Sequence, residues 1–375
     1  MIKEKINSGQ MFAWMMMFEI GNAIIINIGM EAKQSAWIVI LLAMLAGVAT
    51  YLFIYVPLFR LYPNHSFTKY TQLVFGKYVG WLLSFFYLVY FTYVSGRNLM
   101  DFGALTSTIS YNETPISILN GIMILALIYG LTRGIEVYVR SVEIFFSLFI
   151  VVFIFGVLLL IISRQMEVNN LKPIIDNGWK PIFHAAFPLV YTFPFAEMVT
   201  FTMFLPFLNN SQAAAKVGVI SILLSGLILS LTTLLNVAVL GVYHTQNAVF
   251  PLIETMGEIN IGEFLQRLDS LVVIIFVITS FFKVGTFFLA AIIAASDIFQ
   301  VNNYRKLALP IGIVILLSSI LMSSNFVEHL DEGLNVLPRY IQLPIQTGIP
   351  LLILLIALFR KHIGRGARQE HDQKE

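Results

Sequence analysis

The sequence predicts an all-α integral membrane protein whose ten transmembrane helices form two sets of five. Its 375 residues are 58% hydrophobic and only 12% charged, with a mean hydropathy of +0.83, which is too apolar for a soluble domain. Apolar segments of roughly 20 residues, enough to cross ~30 Å of hydrocarbon, occur ten times along the chain. These predicted spans are residues 11–30, 35–59, 81–110, 115–132, 142–163, 184–207, 214–242, 268–297, 307–324 and 339–360.

The positions of the basic residues support this count and predict the orientation. With a cytoplasmic N-terminus, fifteen Lys and Arg residues fall on the cytoplasmic side and six on the outer side, as the positive-inside rule requires. Both termini are therefore expected in the cytoplasm. The first span contains Glu19 and lacks a small-residue cleavage site, so we expect a retained helix rather than a signal peptide.

One membrane domain accounts for most of the chain. We expect a cytoplasmic segment at 1–10, the ten-helix domain at 11–360 and a charged cytoplasmic tail at 361–375. The first five spans cover residues 11–163 and the second five cover 184–360. Because five is odd, the second set starts from the opposite side of the membrane and runs inverted relative to the first. This is the five-plus-five inverted-repeat plan of leucine-transporter-like proteins.

Several charged residues lie inside predicted spans, where charge is costly and points to function. Arg97 and Asp101 stand four residues apart on one face of the third span, so they are expected to pair, in either a structural or a gating role. Lys283 lies too deep in the eighth span to reach the interface easily and needs an anion, carbonyls or water nearby. With Glu19 and Glu197, these residues are the candidates for gating or coupling.

Two spans carry residues that interrupt helices. In the first, Gly21 and Asn22 favour local unwinding, although a glycine here can also simply allow close helix contact. In the sixth, Pro194 removes a backbone donor at mid-span, three residues before Glu197. Interrupted helices at corresponding positions of two repeats are the best sequence indication of a transporter-type binding site. We therefore expect the ligand between the first and sixth spans.

The residues around these breaks resemble a known family. The pattern F-x-F-A-E, which ends at Glu197, looks like the Phe-x-Gly-x-Glu motif of amino acid, polyamine and organocation permeases, with Ala196 where those have Gly. More specifically, "FEIGNAIII", "LTRGIEVYVRSVEIFF" and "NNLKPIIDNGWKPIFHAAFPLVYTFPFAEMVTF" resemble the B subunit of spore germinant receptors, and the resemblance covers residues 7–360. It implies a transporter fold, recognition of a nutrient such as an amino acid, and a place in the inner spore membrane beside a larger A subunit and a C lipoprotein.

The resemblance also implies which residues bind the nutrient. In that superfamily the unwound parts of the two interrupted helices hold the ammonium and carboxylate of an amino acid, since exposed helix ends offer free N–H groups and carbonyls. Aromatic rings beside the second break would suit a small apolar or amphipathic nutrient. The corresponding residues are Gly21, Asn22 and Ala23 in the first span and Phe193, Pro194, Phe195 and Ala196 in the sixth. Tyr191 is expected near the pocket as a further aromatic ring.

Lys283 and Glu197 have roles that the same resemblance suggests. In related permeases a sodium ion, or a lysine ammonium in its place, helps to hold the first helix. The fifth span here has no lysine, so our hypothesis is that Lys283 supplies the fixed cation between the eighth and first spans, together with Glu19. Glu197 is expected to steady or gate the break, to carry a proton or to contact the ligand.

The composition argues against several other functions. With no cysteine and six scattered histidines, the chain has no pattern typical of a disulfide, a cofactor or a metal site. A net charge of +2 does not indicate nucleic acid binding, and no nucleophile and base form a catalytic pattern, so we do not expect an enzyme. A stand-alone proton-coupled amino acid permease remains the alternative to a receptor subunit, because the binding site alone does not separate the two.

Overall fold

The computed structural model describes residues 4–109, 111, 113–175, 178–261, 265–266, 268–322 and 325–372. Within these ranges the chain is helical apart from loops and one short antiparallel pair of strands, β1 Asn260–Ile261 and β2 Leu265–Gln266. The helices are α1 Ser8–Ile20, α2 Met30–Leu61, α3 Phe67–Phe75, α4 Lys77–Ile109, α5 Ile116–Thr132, α6 Ile135–Ser163, α7 Trp179–Met203, α8 Ser211–Asn247, α9 Pro251–Gly257, α10 Asp269–Phe299, α11 Tyr304–Leu321, α12 Phe326–Asp331 and α13 Pro338–Lys361. Residues 1–3, 110, 323–324 and 373–375, at the ends of predicted segments, lie outside the described residues.

Every predicted span has a helix at its position. In the described part of the chain, 8 helices (α2, α4, α6, α7, α8, α10, α11 and α13) are long and apolar enough to cross a bilayer. The fourth span, α5, is shorter at 17 residues, and α1 ends after 13 residues. The all-α, multi-spanning architecture is confirmed, with two of the ten predicted spans shorter than a full crossing. The helices α3, α9 and α12 were not predicted, because these segments have no apolar run of spanning length.

The first helix ends at a glycine in a backbone conformation that other residues rarely adopt. Gly21 has φ 28° and ψ −125°, and the chain continues as a short 3-10 helix, Gly21–Ile24. The freed carbonyl of Gly21 accepts a hydrogen bond from the Thr279 hydroxyl of α10 at 3.0 Å. A Cβ on Gly21 would lie 2.3 Å from Cδ of Lys283. The glycine therefore serves both the unwinding and the close helix contact.

The helix α7 is also interrupted. Its α-helical turns stop at Phe193 and Pro194, and a 3-10 helix, Phe195–Met203, continues the chain. The Tyr55 hydroxyl of α2 lies 3.1 Å from the carbonyl of Ala196 beside the break and 2.7 Å from that of Gln346, and it can donate its single hydrogen to either. The first and sixth predicted spans, α1 and α7, are thus both interrupted.

The helix α10 runs through the middle of the bundle, where the two breaks meet. It packs extensively against α4 and contacts α1, the turn Gly21–Ile24 and the second half of α7. All its side chains from Phe282 to Ala295 are buried. By contrast, α6 leaves most of its apolar side chains at least partly exposed, as expected of a helix that borders lipid. Polar groups on α10 therefore face the protein interior beside both breaks.

Candidate functional site

A buried ion pair joins α10 to α7 just after the break in α7. Nζ of Lys283 lies 2.7 Å from Oε2 of Glu197, and the two side chains are 0% and 1% exposed. The ammonium is also 4.4 Å from the ring centre of Phe193, which is a cation–π distance. Neither Nζ nor Oε2 has any further hydrogen-bonding partner in the described part of the chain. The pair is therefore buried and depends on its mutual attraction.

Glu19 lies near this pair but takes a different partner. Its Oε2 accepts a hydrogen bond from the Ser225 hydroxyl of α8 at 2.6 Å. Its Oε1 is buried and has no partner among the described residues. The stem of Lys283 does pack against α1 at Gly21, but its ammonium contacts Glu197. The hypothesis that Glu19 pairs with Lys283 is thereby corrected, because the broken α7 brings its own carboxylate to α10.

A second polar network begins just after the α1 break. Nδ2 of Asn22 donates to Oδ2 of Asp101 at 2.9 Å, and Oδ1 of Asn22 accepts from the Ser280 hydroxyl at 2.7 Å. The other oxygen of Asp101 lies 2.8 Å from Nε2 of His329 in α12. One chain of hydrogen bonds thus connects the α1 break with α4, α10 and α12.

Arg97 and Asp101 do not form the ion pair that their spacing predicts. Nη1 of Arg97 lies 3.5 Å from Oε2 of Glu332, and Nη2 donates to the carbonyl of His329. Gly333 makes room for the guanidinium, since a Cβ there would be 2.5 Å from Nη2. Helical spacing shows only that two groups can meet. The helical segment that begins with α12 and continues through Glu332–Val336, distant in sequence, supplies a nearer partner to each.

A small cavity lies between the two networks and has a volume of about 50 Å³. Three buried polar atoms of its lining residues have no hydrogen-bonding partner among the described residues: Oδ1 of Asn98, Oε1 of Gln342 and Nδ1 of His329. Because buried polar atoms are normally paired, this cavity offers unused hydrogen-bonding capacity to water or a ligand. Its polar lining residues are Arg97, Asn98, Asp101, Glu197, His329 and Gln342, and its apolar ones include Ile26, Phe193 and Leu334.

The structure distributes the predicted ligand-binding residues around this cavity. Phe193 lines it directly, while Gly21, Asn22 and Ala23 form the buried turn behind it. Tyr191 lies on the opposite side of α7, with its hydroxyl 2.7 Å from the hydroxyls of Thr50 and Thr347.

The remaining predicted residues of α7 support the break. Phe195 packs against α2, where a Cβ on Gly47 would lie 2.6 Å from Cβ of Phe195. Pro194 and Ala196 are buried in the same turn. Of the predicted α7 residues, Phe193 and the gating candidate Glu197 therefore reach the cavity.

Three polar residues of the cavity are not among those that the sequence predicts. His329 falls between the ninth and tenth predicted spans and was assigned to an outer loop, yet α12 brings it to 1% exposure beside Asp101. Asn98 and Gln342 lie within predicted spans, and an amide in an apolar span was the only signal that marked them.

Comparisons with known proteins agree with this architecture. The family model described as "Spore germination protein" matches residues 5–327. Spore germination protein KB of Bacillus subtilis (strain 168) is 37% identical over 374 residues, covering 100% of both chains. Spore germination protein YndE of the same organism is 24% identical over 341 residues, which is 88% of this chain and 90% of YndE.

A solved structure shares the fold. The crystal structure of MhsT in complex with L-phenylalanine matches with a TM-score of 0.69 and 13% sequence identity, covering 93% of this chain and 87% of MhsT. Identity this low is informative about fold alone. The chain therefore has the leucine-transporter-like fold that the inverted-repeat count predicted.

Proposed function

Because the chain belongs to the spore germination protein family, we propose that it is the nutrient-sensing B subunit of a spore germinant receptor. It is a multi-pass membrane protein with a transporter fold, and the proposed nutrient is a small amino acid. The observation that carries this proposal is the cavity beside the helix breaks, whose buried polar atoms lack partners. The proposed role is binding and signalling without catalytic chemistry.

The charges around the cavity suit a zwitterion. Arg97 can bind a carboxylate through its guanidinium, while the carboxylates of Asp101 and Glu197 can accept from an ammonium. The unpaired oxygens of Asn98 and Gln342 add neutral acceptors. Phe193 supplies an apolar wall for a side chain. Both signs of charge in one small buried space are difficult to explain by packing alone, because buried charge is costly.

The cavity is narrow in this conformation. One water needs roughly 10–15 Å³ of such space, so a cavity of about 50 Å³ holds a few waters but not an amino acid. Binding therefore requires the surrounding helices to move. A ligand that binds the opened arrangement more tightly shifts the protein toward it, and this movement is the proposed germination signal.

The proposed assembly follows from the same family membership. We propose that the chain works in the inner spore membrane with an A subunit and a C lipoprotein, to which it passes the movement. Both termini are proposed to be cytoplasmic, since the basic residues lie mostly on that side of the spans.

Thermal unfolding of the purified chain across the common amino acids tests the binding site. A ligand of the native state raises stability by about 2.7 kcal/mol at 100 times its Kd, so one or a few amino acids are expected to raise the Tm. The amine and the carboxylic acid that correspond to each active amino acid are the matched controls, and both should have much weaker effects. If no amino acid raises the Tm, the proposed ligand class is wrong.

A stand-alone proton-coupled amino acid permease is the second candidate, and the MhsT-like fold favours it. Uptake of radiolabelled amino acid into proteoliposomes that contain the purified chain alone separates the two functions. Concentrative uptake driven by a proton gradient supports the permease. Ligand binding without uptake supports the receptor subunit.

A further inference from the structure

The crossing of α1, α7 and α10 buries more acids than bases. Glu19, Glu197 and Lys283 are 0%, 1% and 0% exposed. Lys283 contacts Glu197 at 2.7 Å, which leaves the second acid without a basic partner in the described part of the chain. If both acids were ionised, the crossing would carry one uncompensated negative charge inside the membrane. Such a charge is strongly disfavoured, so a proton or a bound cation must neutralise it.

The geometry indicates which acid is neutralised. Glu197 has an ammonium beside it, whereas Glu19 has one hydroxyl donor on Oε2 and no partner on Oε1. An ionised carboxylate needs donors at both oxygens, and a neutral acid needs far fewer. A metal cation at Glu19 would also be repelled by the ammonium of Lys283, whose stem packs against Gly21, two residues further along the chain.

The other charged groups near α1 do not supply the missing positive charge. From α6, which packs against α1, Glu136 accepts from the backbone N–H of Lys5 and Glu143 accepts from the Gln10 side chain. The helix α8 presents the neutral hydroxyl of Ser225. Asp101 of α4 bonds to Asn22 and to His329. Lys283 is therefore the cation at this crossing, and it is already paired.

We propose that Glu19 carries one exchangeable proton in the unliganded protein, and that nutrient binding in the adjoining cavity releases this proton. The release step rests on the proposed function, whereas the protonation of Glu19 does not. Glu197 lines the cavity and also holds Lys283. A ligand ammonium that approaches Glu197 competes with Lys283 for that carboxylate. Lys283 then stabilises ionised Glu19, whose carboxyl O–H bond breaks and gives one proton to water.

Infrared spectroscopy of the ligand-free protein at neutral pH tests the protonation. The wild-type spectrum minus that of Glu19→Gln should contain the C=O band of one protonated carboxylic acid. Ser225→Ala keeps Glu19 in place and should shift the same acid band, because one hydrogen bond to Glu19 is lost. This variant assigns the band even if Glu19→Gln folds poorly.

Several outcomes would overturn the proposal. An acid band that persists in Glu19→Gln and that Ser225→Ala leaves unshifted would assign the proton to another carboxyl group. A Tm that rises with sodium or potassium chloride, but not with choline chloride, would assign the neutralising charge to a metal cation. The release step is tested with a pH indicator in weak buffer, where an amino acid that stabilises the protein should release up to one proton per chain, and Glu19→Gln should release none.

If an amino acid stabilises the protein without releasing a proton, the release step fails while the proposed function stands. If the acid band is present but no amino acid binds, the protonation of Glu19 stands and the proposed ligand fails.

Discussion

The ammonium of Lys283 and the carboxylate of Glu197 form a fully buried ion pair, 2.7 Å apart, between the central helix and the second broken helix. The stem of Lys283 also lies against Gly21 at the first break. A single side chain thus contacts both interruptions in the bundle. Any rearrangement that separates the breaks must move this lysine or replace its partner.

Removing the ammonium from this pair should destabilise the protein and abolish its response to ligand. Lys283→Met leaves Glu197 buried without a partner, and breaking a buried pair in this way costs about 3–5 kcal/mol. The loss should grow as pH rises, because the folded state must keep a proton on Glu197 that the unfolded state gives up. Thermal unfolding in detergent across a pH series measures the loss of stability and its pH dependence.

The double variant Lys283→Met with Glu197→Gln is the matched control for that prediction. It removes both charges and should recover most of the lost stability, since a neutral pair needs no compensation. Equal Tm values for wild type and Lys283→Met at every pH would contradict the importance of the pair, as would a double variant less stable than the single one.

Gly21 should be intolerant of even one added methyl group. A Cβ there would lie 2.3 Å from Cδ of Lys283, in a backbone conformation with φ 28° that L side chains rarely adopt. Overpacking of this kind costs about 1–3 kcal/mol, so Gly21→Ala should lower the Tm and displace Lys283. Gly121→Ala is the control, because a Cβ at that position in α5 has no neighbour within 4 Å. A Gly21→Ala protein as stable as Gly121→Ala would contradict this packing.

The sequence predicted the broken helices well because the residues that break them act locally. A glycine and a mid-span proline impose their backbone conformations wherever the chain takes them. The choice of ion-pair partner was not predictable in the same way. Asp101 contacts His329, which is 228 residues away in sequence, and spacing along α4 contains no information on that approach.

Because local spacing contains no information on contacts between distant residues, the sequence predicted only part of the cavity. Phe193 and Glu197 were identified from the motif that carries them, but α12 was read as a loop because its residues are too polar for a span. Residues that complete a site from a polar helical extension before a span leave little trace in hydropathy. Such contributions are found once the tertiary structure brings His329 and Gln342 to the cavity wall.

Glu332 should compete with the nutrient for Arg97. The Glu332 carboxylate lies 3.5 Å from Nη1 of Arg97, which is long for an ion pair. The side chain of Glu332 is 41% exposed and that of Arg97 is 10% exposed, so the contact is partly accessible to solvent. Removing the competing charge in Glu332→Gln should lower the concentration of amino acid needed for half-maximal stabilisation by roughly two- to fivefold, as expected for a weak ion pair. Arg97→Gln should abolish the stabilisation, because the carboxylate of the ligand loses its partner.

Asp331→Asn is the matched control for Glu332→Gln. It removes a charge from the neighbouring position, where the carboxylate is exposed and accepts a hydrogen bond from Asn335. This variant should bind amino acid like the wild type. If Glu332→Gln also leaves half-saturation unchanged and only lowers the Tm of the unliganded protein, Glu332 has a structural role and does not compete with ligand.

The N-terminal segment should hold the end of the bundle opposite to α12 closed. Glu4 accepts a hydrogen bond from the Tyr304 hydroxyl at 2.7 Å and pairs with Arg305 of the same turn. Two residues later, the backbone of Ile6 exchanges hydrogen bonds with Phe207 and Asn209, both at 2.9 Å. This segment therefore joins the start of α1 to the first turn of α11 and to the chain just after α7.

Glu4→Gln keeps the shape of that side chain and removes its charge. Hydrogen bonds to charged groups contribute about 1.5–3 kcal/mol, so amide exchange in the first turns of α1 should become roughly tenfold to a hundredfold faster. Hydrogen–deuterium exchange with mass spectrometry measures this rate, and Lys306→Gln, at the exposed neighbour of Arg305, is the control. Faster exchange in α1 and at 206–209 without change in α4 would place the effect at this end of the bundle. Unchanged exchange in α1 would show that the backbone bonds of Ile6 hold the segment without Glu4.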